Sequence, residues 1–598
     1  MMRRICMKKT GRKWAVLRVI ITIIAIFLLY YFQLPPLHPR SRAFWGFLFE
    51  VIVLILVFNS LSTVLNLVNT VLDRDFWIEN LTGKFSLKRL FAGFAGAAGN
   101  GGKFIAGGLA MLLLILVLQL VGDVIGHPLF HSKAYSQLVS PAEADFAADV
   151  SEISMKQIPV VDRDSASRLG NRKLGEIADL VSQFEITDLY TQINYQGTPY
   201  RVTPLQYGDV IKWFANQSQG LPAYLKVNMV TQETTLNRLS EGMKYSPSEY
   251  FFRNINRYLR ICYPTKIFDF DDVSFEIDED GTPYWVASII NYRIGIWSGK
   301  DIAGAVLVNA ITGEHKYYDL ADIPAWVDQV FISDLIMQQL DYNGMYRNGF
   351  INSIFGQKGV RRTTQGYNYI AIGDDVYLYT GITSVTSDDS NIGFDLVNLR
   401  TKEASYYSVP GATEYSAMDS AEGQVQQMKY VATFPILLNI SDRPTYFLSL
   451  KDDAGLVKMY AFVDVEQYQV VGTGTSVAAA RTNYETALGL ENGGSGSGSI
   501  TPSGGSGTSE GNTADLDWRN LEESGQVTAA ITDIQSVVIS GYTRYYMLLE
   551  GDDHIYQASA TVSPSIAFLK AGDEVTLSYA DTEDPGLRTV LAAEKAGQ

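Results

Sequence analysis

The stretch GTPYR at residues 197–201 recurs 84 residues later as GTPYW at residues 281–285. A second stretch behaves in the same way: VNMVTQE at residues 227–233 is echoed by VNAITGE at residues 308–314, with an offset of 81 residues. Two offsets this similar indicate a duplicated structural unit, because self-similarity at a nearly fixed period is the signature of repeat architectures.

Two weaker copies extend the series. IGDD at residues 372–375 precedes VNLRTKE at residues 397–403, and SDRP at residues 441–444 precedes VDVE at residues 463–466. Each copy predicts a strand, a tight turn supplied by Gly, Asp or Pro, a second strand, and a third strand that ends in an Asn or Asp turn. We therefore expect about four units within residues 185–490.

Helical patterns precede at least two of these units. Residues 246–262 (SPSEYFFRNINRYLRIC) place apolar side chains at helical spacing, and residues 419–430 do so less strongly. The predicted fold class is therefore membrane-anchored α+β, in which helix-on-antiparallel-sheet modules form the body.

The turn NAITGE at residues 309–314 resembles the turn of PepSY-like extracytoplasmic modules, with Asn309 in place of the usual Asp. The resemblance covers residues 185–475 and implies a sensor or protease-regulating role. The whole chain also resembles multi-pass envelope proteins of Gram-positive bacteria, which implies a location and a domain order but no activity.

The charge of the chain divides at residue 126. Of the 598 residues, the first 126 carry 14 Lys/Arg and 5 Asp/Glu, a net charge of +9, whereas the rest carry 34 and 59, a net charge of −25. Three apolar runs lie in the basic part, at residues 15–34, 44–72 and 104–126. Their lengths predict three N-terminal transmembrane helices that form a membrane anchor over residues 1–126.

A cleavable signal peptide is the alternative for the first run, but LPPLHPR follows it where a small-residue cleavage site is needed. Eleven Lys/Arg flank the runs on one side of the membrane, against Arg40, Arg42 and Lys133 on the other. The positive-inside rule then predicts a cytoplasmic N-terminus and an extracytoplasmic chain after about residue 127. Its first part, residues 127–184, is predicted as a juxtamembrane segment with a helix.

The body holds a single cysteine, Cys262, so it can form no internal disulfide. A large exported body without disulfides is typical of a bacterial cell envelope. Because this body is acidic, we expect an anionic membrane surface to repel it.

Residues 491–514 are a Gly/Ser-rich sequence that predicts a flexible linker. Residues 515–598 follow with the order strand, strand, strand, helix (564–570), strand, strand, which is the order of a small OB-like β-barrel. Only Arg544, Lys570 and Arg588 are basic within residues 525–592, so we expect no nucleic-acid partner.

An acidic run at the start of the second unit is a candidate calcium site. Asp269, Asp271, Asp278 and Asp280 offer the carboxylate oxygens that this cation prefers. The alternative is a strand with one wet face, because apolar side chains alternate with the acids. Tyrosines such as Tyr367 and Tyr369 fit half-buried sheet faces, and exposed rows of them would suit sugar or peptide binding.

Catalytic patterns are poorly represented in this sequence. Gly472-Thr473-Gly474-Thr475 is half of a dinucleotide fingerprint, but the third Gly is missing and no second strand of a βαβ unit follows, so an N-cap at Thr475 or Ser476 is the better interpretation. No catalytic residue and no cofactor are predicted. We expect a non-enzymatic cell-envelope scaffold or binding module for wall components or envelope proteins; the alternatives are a wall-active carboxylate-dependent hydrolase and a PepSY-like sensor or protease regulator.

Overall fold

The architecture was taken from a computed structural model of the full chain. It describes residues 2–72, 87–152, 157–385, 387–489, 524–539, 542–552, 554–559, 566, 569–581 and 586–595. These residues divide into two compact units, Met1–Gly493 and Gly494–Gln598, and the division falls inside the predicted linker. The linker itself, residues 491–514, lies outside the described residues.

The first unit begins with three long helices: α1 (Met2–Gln33), α2 (Arg42–Leu72) and α3 (Leu87–Ile125). Among the described residues, Val16–Gln33 and Phe104–Ile125 are long and apolar enough to cross a membrane, with mean hydropathies of 2.1 and 2.7. The apolar side chains of both segments are largely exposed, as expected where lipid surrounds a helix. These two helices support the prediction that the chain is a membrane protein. That α2 forms a third span stays a prediction.

Nine shorter α-helices and 26 strands follow among the described residues. The helices are α4 (Pro128–Ser136), α5 (Phe146–Asp149), α6 (Arg163–Gly175), α7 (Ala178–Val181), α8 (Val210–Asn216), α9 (Ile255–Cys262), α10 (Ser333–Tyr346), α11 (Glu414–Gln424) and α12 (Val477–Ala487). The strands of the first unit are β1 (Ala142–Ala144), β2 (Phe184–Ile186), β3 (Thr191–Tyr195), β4 (Thr198–Tyr207), β5 (Leu221–Asn228), β6 (Thr234–Met243), β7 (Ser274–Ile277), β8 (Pro283–Ile294), β9 (Ser298–Asn309), β10 (His315–Asp319), β11 (Arg361–Thr363), β12 (Asn368–Ile372), β13 (Asp375–Ser384), β14 (Ser387–Asn398), β15 (Ala404–Tyr407), β16 (Gly411–Ala412), β17 (Val431–Ala432), β18 (Ile436–Ile440), β19 (Arg443–Lys451), β20 (Val457–Asp464) and β21 (Val471–Gly474).

Four antiparallel meanders of four strands each form the body. Module 1 contains β3–β6, module 2 β7–β10, module 3 β12–β15 and module 4 β18–β21, and successive strands within each module pair with one another. The four turn motifs of the sequence repeat join the first two strands of each module. The third strand ends at Asn228, Asn309, Asn398 or Asp464.

One pattern of hydrogen bonds recurs in every module and explains the sequence repeat. The side chains of Asn228, Asn309 and Asn398 each accept backbone N–H bonds from the residues two and three positions later, and Asp464 accepts one from Gln467. An Asx side chain stabilises a turn in this way. The residue after each one donates its N–H to the second strand: Met229 to Pro199, Ala310 to Pro283, Leu399 to Val376 and Val465 to Pro444, at 2.9–3.2 Å.

A helix precedes each meander: α6, α9, α10 and α11 for modules 1 to 4. The predicted helix at 246–262 is shorter in the structure, because Asn254 accepts a bond from the N–H of Arg257 and α9 begins only at Ile255. The helix expected at 419–430 begins earlier, since Thr413 caps α11 by accepting from the N–H of Ser416. The juxtamembrane residues 157–184 contribute α6, which contacts β5 and β6 of module 1.

The apolar cores connect the modules in cyclic order. One buried cluster joins modules 1 and 2, a second joins modules 2 and 3, and a third joins modules 3 and 4 and also includes Val227 and Met229 of module 1. Module 4 also contacts the segment that precedes module 1, because Ser449 donates to the carbonyl of Val160 and Lys451 pairs with Asp162 at 2.7 Å.

The body contacts the ends of two membrane helices directly. Asp123 of α3 accepts from the Trp297 indole at 2.9 Å and pairs with Arg42 of α2 at 3.0 Å. A Cβ atom on Gly122 would lie 2.2 Å from the Trp297 ring, so only glycine allows this approach. At the end of α1, the buried Arg260 guanidinium donates to the carbonyl of Leu34 at 2.8 Å, where a positive charge complements the helix dipole.

The second unit contains a closed five-stranded barrel in the order β22 (Gly525–Ile539), β23 (Tyr542–Leu549), β24 (Ile555–Ser559), β26 (Leu587–Lys595) and β25 (Glu574–Asp581). Its core includes Ile531, Met547, Tyr556 and Leu577. Most of residues 564–570, where a helix was predicted, lie outside the described residues. The sequence-predicted barrel is therefore present, and its OB-like character stays a prediction.

Candidate functional site

A cavity of about 210 Å³ lies where modules 1, 3 and 4 meet, and we call it the asparagine cavity. Its wall is formed by the first strands β3, β12 and β18 together with the segment that follows α5. The lining residues used below are Asn194, Asn439, Gly373, Val150 and Glu152.

Asn194 and Asn439 occupy equivalent positions of two different modules, because Asn194 is opposite Pro199 in one hairpin and Asn439 is opposite Pro444 in the other. Both side chains are buried, with 7% and 1% of their surface exposed. Each amide nitrogen has a partner: Asn194 donates to the carbonyl of Gly373 at 2.9 Å and Asn439 to that of Val150 at 2.7 Å.

Neither of the two carbonyl oxygens, Asn194 Oδ1 and Asn439 Oδ1, has a hydrogen-bond partner. A buried acceptor without a partner carries a desolvation cost of about 1–3 kcal/mol. The amide nitrogens hold both groups in fixed orientations, so two acceptors without hydrogen-bond partners belong to residues of the cavity wall.

A second cavity, of about 300 Å³, lies between modules 1, 2 and 3, and we call it the tyrosine cavity. Its tyrosines are Tyr190, Tyr367 and Tyr369, and its carboxylates are Asp271, Asp272 and Asp334, with Arg163 and Ser333 beside them. Tyr190, Tyr367 and the two acids at 271–272 come shortly before the first strand of modules 1, 3 and 2, so similar positions of three repeats converge here. Tyr369 lies in β12 itself, and the remaining three residues lie in the first turn of α6 or α10.

Hydrogen bonds order one wall of the tyrosine cavity. Tyr369 shares a 2.9 Å bond with Ser333, and Tyr367 donates to Asp334 at 3.4 Å. Burial, followed by the neighbouring Tyr369 and Asp334, raises the pKa of Tyr367, so this phenol stays protonated and remains a donor. The pKa of Asp272 is also raised, first by desolvation from the surrounding protein and then by the carboxylates Asp269 and Asp334, although its side chain is solvent-exposed.

Two fully buried carboxyl groups, Glu276 and Asp328, lie between the cavities. Glu276 accepts from the backbone N–H groups of Asp328 and Gln329 at 2.8 and 3.1 Å and from the hydroxyl of Ser274 at 3.1 Å. Asp328 accepts from the backbone N–H of Asn194 at 2.7 Å, while its Oδ1 has no partner. Burial raises the pKa of Glu276 to about 7 and that of Asp328 well above its ordinary value, the latter helped by repulsion from Glu276.

The calcium candidates do not converge. Asp271 lines the tyrosine cavity, Asp269 pairs with Lys300 at 2.5 Å, and Asp278 accepts the N–H groups of Asp280 and Thr282 inside the β7–β8 turn. Within the described part of the chain, no three His, Cys, Asp or Glu side chains are grouped to hold a metal ion. The calcium site stays a prediction without geometric support.

The two asparagines were missed by sequence reasoning, although a signal exists: copies 1 and 4 share Asn-x-x-x-x-Pro, at Asn194 to Pro199 and at Asn439 to Pro444. Of the tyrosines singled out in the sequence, Tyr367 and Tyr369 do line a cavity. The N-cap interpretation of 472–475 is confirmed at Ser476, whose hydroxyl accepts from the N–H of Ala479 at 3.1 Å.

No protein-family model matches this chain, and no curated protein sequence is similar to it. Among solved structures, a mutant levansucrase of B. megaterium is similar at 10% identity and a TM-score of 0.18, over 77% of this chain and 98% of that chain. A TM-score this low carries no argument about fold or activity.

Proposed function

We propose that this chain is a non-enzymatic, membrane-anchored binding protein of the bacterial cell envelope, which presents its four modules to wall components or partner proteins. The proposed topology has three spans, a cytoplasmic N-terminus and the modules outside. The PepSY-like relationship of the modules and the OB-like relationship of the barrel belong to the same proposal.

The observation that supports binding is the pair of unpartnered carbonyl oxygens, Asn194 Oδ1 and Asn439 Oδ1, in the asparagine cavity. A concave cavity with a few oriented polar groups is the usual form of a small-ligand site. Two acceptors fit a ligand with neighbouring O–H or N–H donors, such as the sugar or amide groups of a wall fragment.

The test is binding of disaccharide-peptides released from bacterial cell walls to the full chain in nanodiscs, read by calorimetry. Asn439→Leu removes one acceptor and should abolish binding. The matched control is Asn368→Leu, because the Asn368 amide also donates to backbone carbonyls of a neighbouring segment, those of Phe434 and Pro435, yet does not line the cavity. Equal binding by both variants would contradict the proposal.

A carboxylate-dependent hydrolase is the second candidate, and the tyrosine cavity favours it. The pKa of Asp272 is raised by desolvation and by the carboxylates Asp269 and Asp334, and a carboxyl group that keeps its proton is the general acid that glycoside hydrolysis needs. Asp272→Asn should then abolish release of reducing ends from wall polysaccharide, while Glu176→Asn on the exposed end of α6 should leave it unchanged. Absence of any such release by the unaltered chain would remove this candidate.

A further inference from the structure

Two groups of exposed apolar side chains lie beside the membrane helices. The α1-side patch is defined by Ile211, Phe214, Phe251 and Phe252, of which 58–76% is exposed. The α3-side patch is defined by Phe130, Ile351, Ile354 and Phe355, of which 50–82% is exposed. Large apolar side chains exposed in contiguous groups mark contact surfaces for other molecules.

Ring contacts connect both patches to the helices that can span a membrane. The ring of Phe252 lies 6.2 Å from that of Tyr31 near the end of α1. The Arg257 guanidinium lies over the same tyrosine ring, 4.7 Å from its centre. On the other side, Phe350 lies 5.6 Å from His127, two residues after α3. Each patch therefore begins where a helix leaves the apolar part of the membrane.

The local charge of these segments is opposite to that of the body. Residues 347–362 carry four basic residues and no acid, and residues 250–260 carry Arg253 and Arg257, besides the buried Arg260, and no acid. The chain after residue 126 nevertheless has a net charge of −25. Aromatic and aliphatic side chains flanked by Lys and Arg are the composition that binds the interface of an anionic bilayer.

The backbone of the α1-side patch also holds an uncommon conformation. Phe251 has a φ of 52°, in the left-handed region, where a bulky side chain is strained. Burial of this ring within the protein does not account for the conformation, because 59% of the side chain is exposed. A local constraint that keeps a large aromatic ring outward is consistent with a surface that contacts something outside the chain.

We propose that the α1-side and α3-side patches insert into the lipid headgroup interface of the same bilayer that holds α1 and α3. The occupant is lipid, because the patches continue from the helix ends and carry the charge complementary to anionic headgroups. The modules therefore rest on the membrane surface, and the acidity of the body, which by itself predicts repulsion, is overcome locally by basic segments. This inference depends on the membrane helices and not on ligand binding in either cavity.

The experiment uses the full chain in nanodiscs of phosphatidylcholine and phosphatidylglycerol, with Cys6 and Cys262 replaced by Ser. Single substitutions Phe355→Cys and Phe214→Cys carry a nitroxide label, and the accessibility of the label to oxygen and to a water-soluble nickel complex is measured. The matched control is Tyr468→Cys, an aromatic position of module 4 that is 45% exposed. Leu120→Cys in α3 is the lipid-embedded reference.

The ratio of oxygen to nickel accessibility should be several-fold higher at positions 355 and 214 than at 468, and should approach the value at 120. Nickel accessibility equal to that of the control at both patches would overturn the proposal. Exclusion of both reagents would also overturn it, because a protein surface or a second copy of the chain would then cover the patches. All four positions are exposed, so the substitutions leave the packed core unchanged.

Discussion

Replacement of Glu276 by Gln should remove a large part of the pH dependence of stability. The Glu276 carboxyl is fully buried and its pKa rises from the ordinary 4.5 to about 7. Between these values the folded state keeps a proton that the unfolded state has lost, so stability is fully present below about pH 4.5 and is lost as the pH rises towards 7. At 1.36 kcal/mol per pKa unit, the contribution is about 3 kcal/mol.

The assay is thermal unfolding of the full chain in nanodiscs between pH 5 and 8, followed by intrinsic tryptophan fluorescence. Trp285 is a suitable reporter, because it is fully buried in module 2 and its ring lies 5.2 Å from that of Phe275, next to Glu276. The melting temperature of the unaltered chain should fall as the pH rises, and that of Glu276→Gln should fall less. Asp328 has a raised pKa as well and keeps part of the slope in the variant.

The matched control is Glu176→Gln, the same chemical change at a position whose side chain is 52% exposed. Its pH profile should coincide with that of the unaltered chain. If Glu276→Gln also leaves the slope unchanged, the Glu276 carboxyl does not keep its proton in the folded state, and the reasoning from burial is wrong.

Three further outcomes are expected. Gly122→Leu should separate the 294–298 hairpin from α3 and increase amide hydrogen exchange in that hairpin. Gly107→Leu should not, because no atom lies within 4 Å of a Cβ at Gly107. Equal exchange in both variants would contradict the contact between the hairpin and α3. Asn309→Ala removes the acceptor of two backbone N–H bonds at 2.9 and 3.0 Å and should cost about 1–2 kcal/mol of stability, as lost caps do, measured by denaturant unfolding; an unchanged midpoint would show that the turn does not depend on the side chain. Burial raises the pKa of the Cys262 thiol, so it should react with a disulfide reagent at pH 8 more slowly in the folded chain than after unfolding, and equal rates would contradict this.

The parts of the fold that could be predicted from sequence are those specified by short-range interactions. An Asx residue that accepts bonds from the next turn, or a Pro after a tight turn, acts over two to five residues, so the four copies could be aligned on them. Helix starts were less predictable, because apolar spacing continues across residues 246–254 and the cap at Asn254 decides where α9 begins.

The cavities could not be predicted in the same way. Asn194 and Asn439 are separated by 245 residues and meet only because modules 1 and 4 are neighbours. The alternation of acids with apolar residues over 269–280 predicts a strand with one wet face, yet Glu276, which lies within this run, is fully buried. Its neighbours from the segment at 328–329 lie 52 and 53 residues later and exclude water from it.

The contact between Ser449 and Val160 spans 289 residues of chain. At typical synthesis rates of 5–20 residues per second, module 4 therefore emerges about 15–60 s after the segment that it must cover. During this interval Val227 and Met229 of module 1 lack the partners that bury them in the finished protein. During synthesis the body should therefore need a chaperone that binds the incomplete chain, unless the incomplete chain collapses only slowly. A chain truncated before module 4 should aggregate although three of its modules are intact.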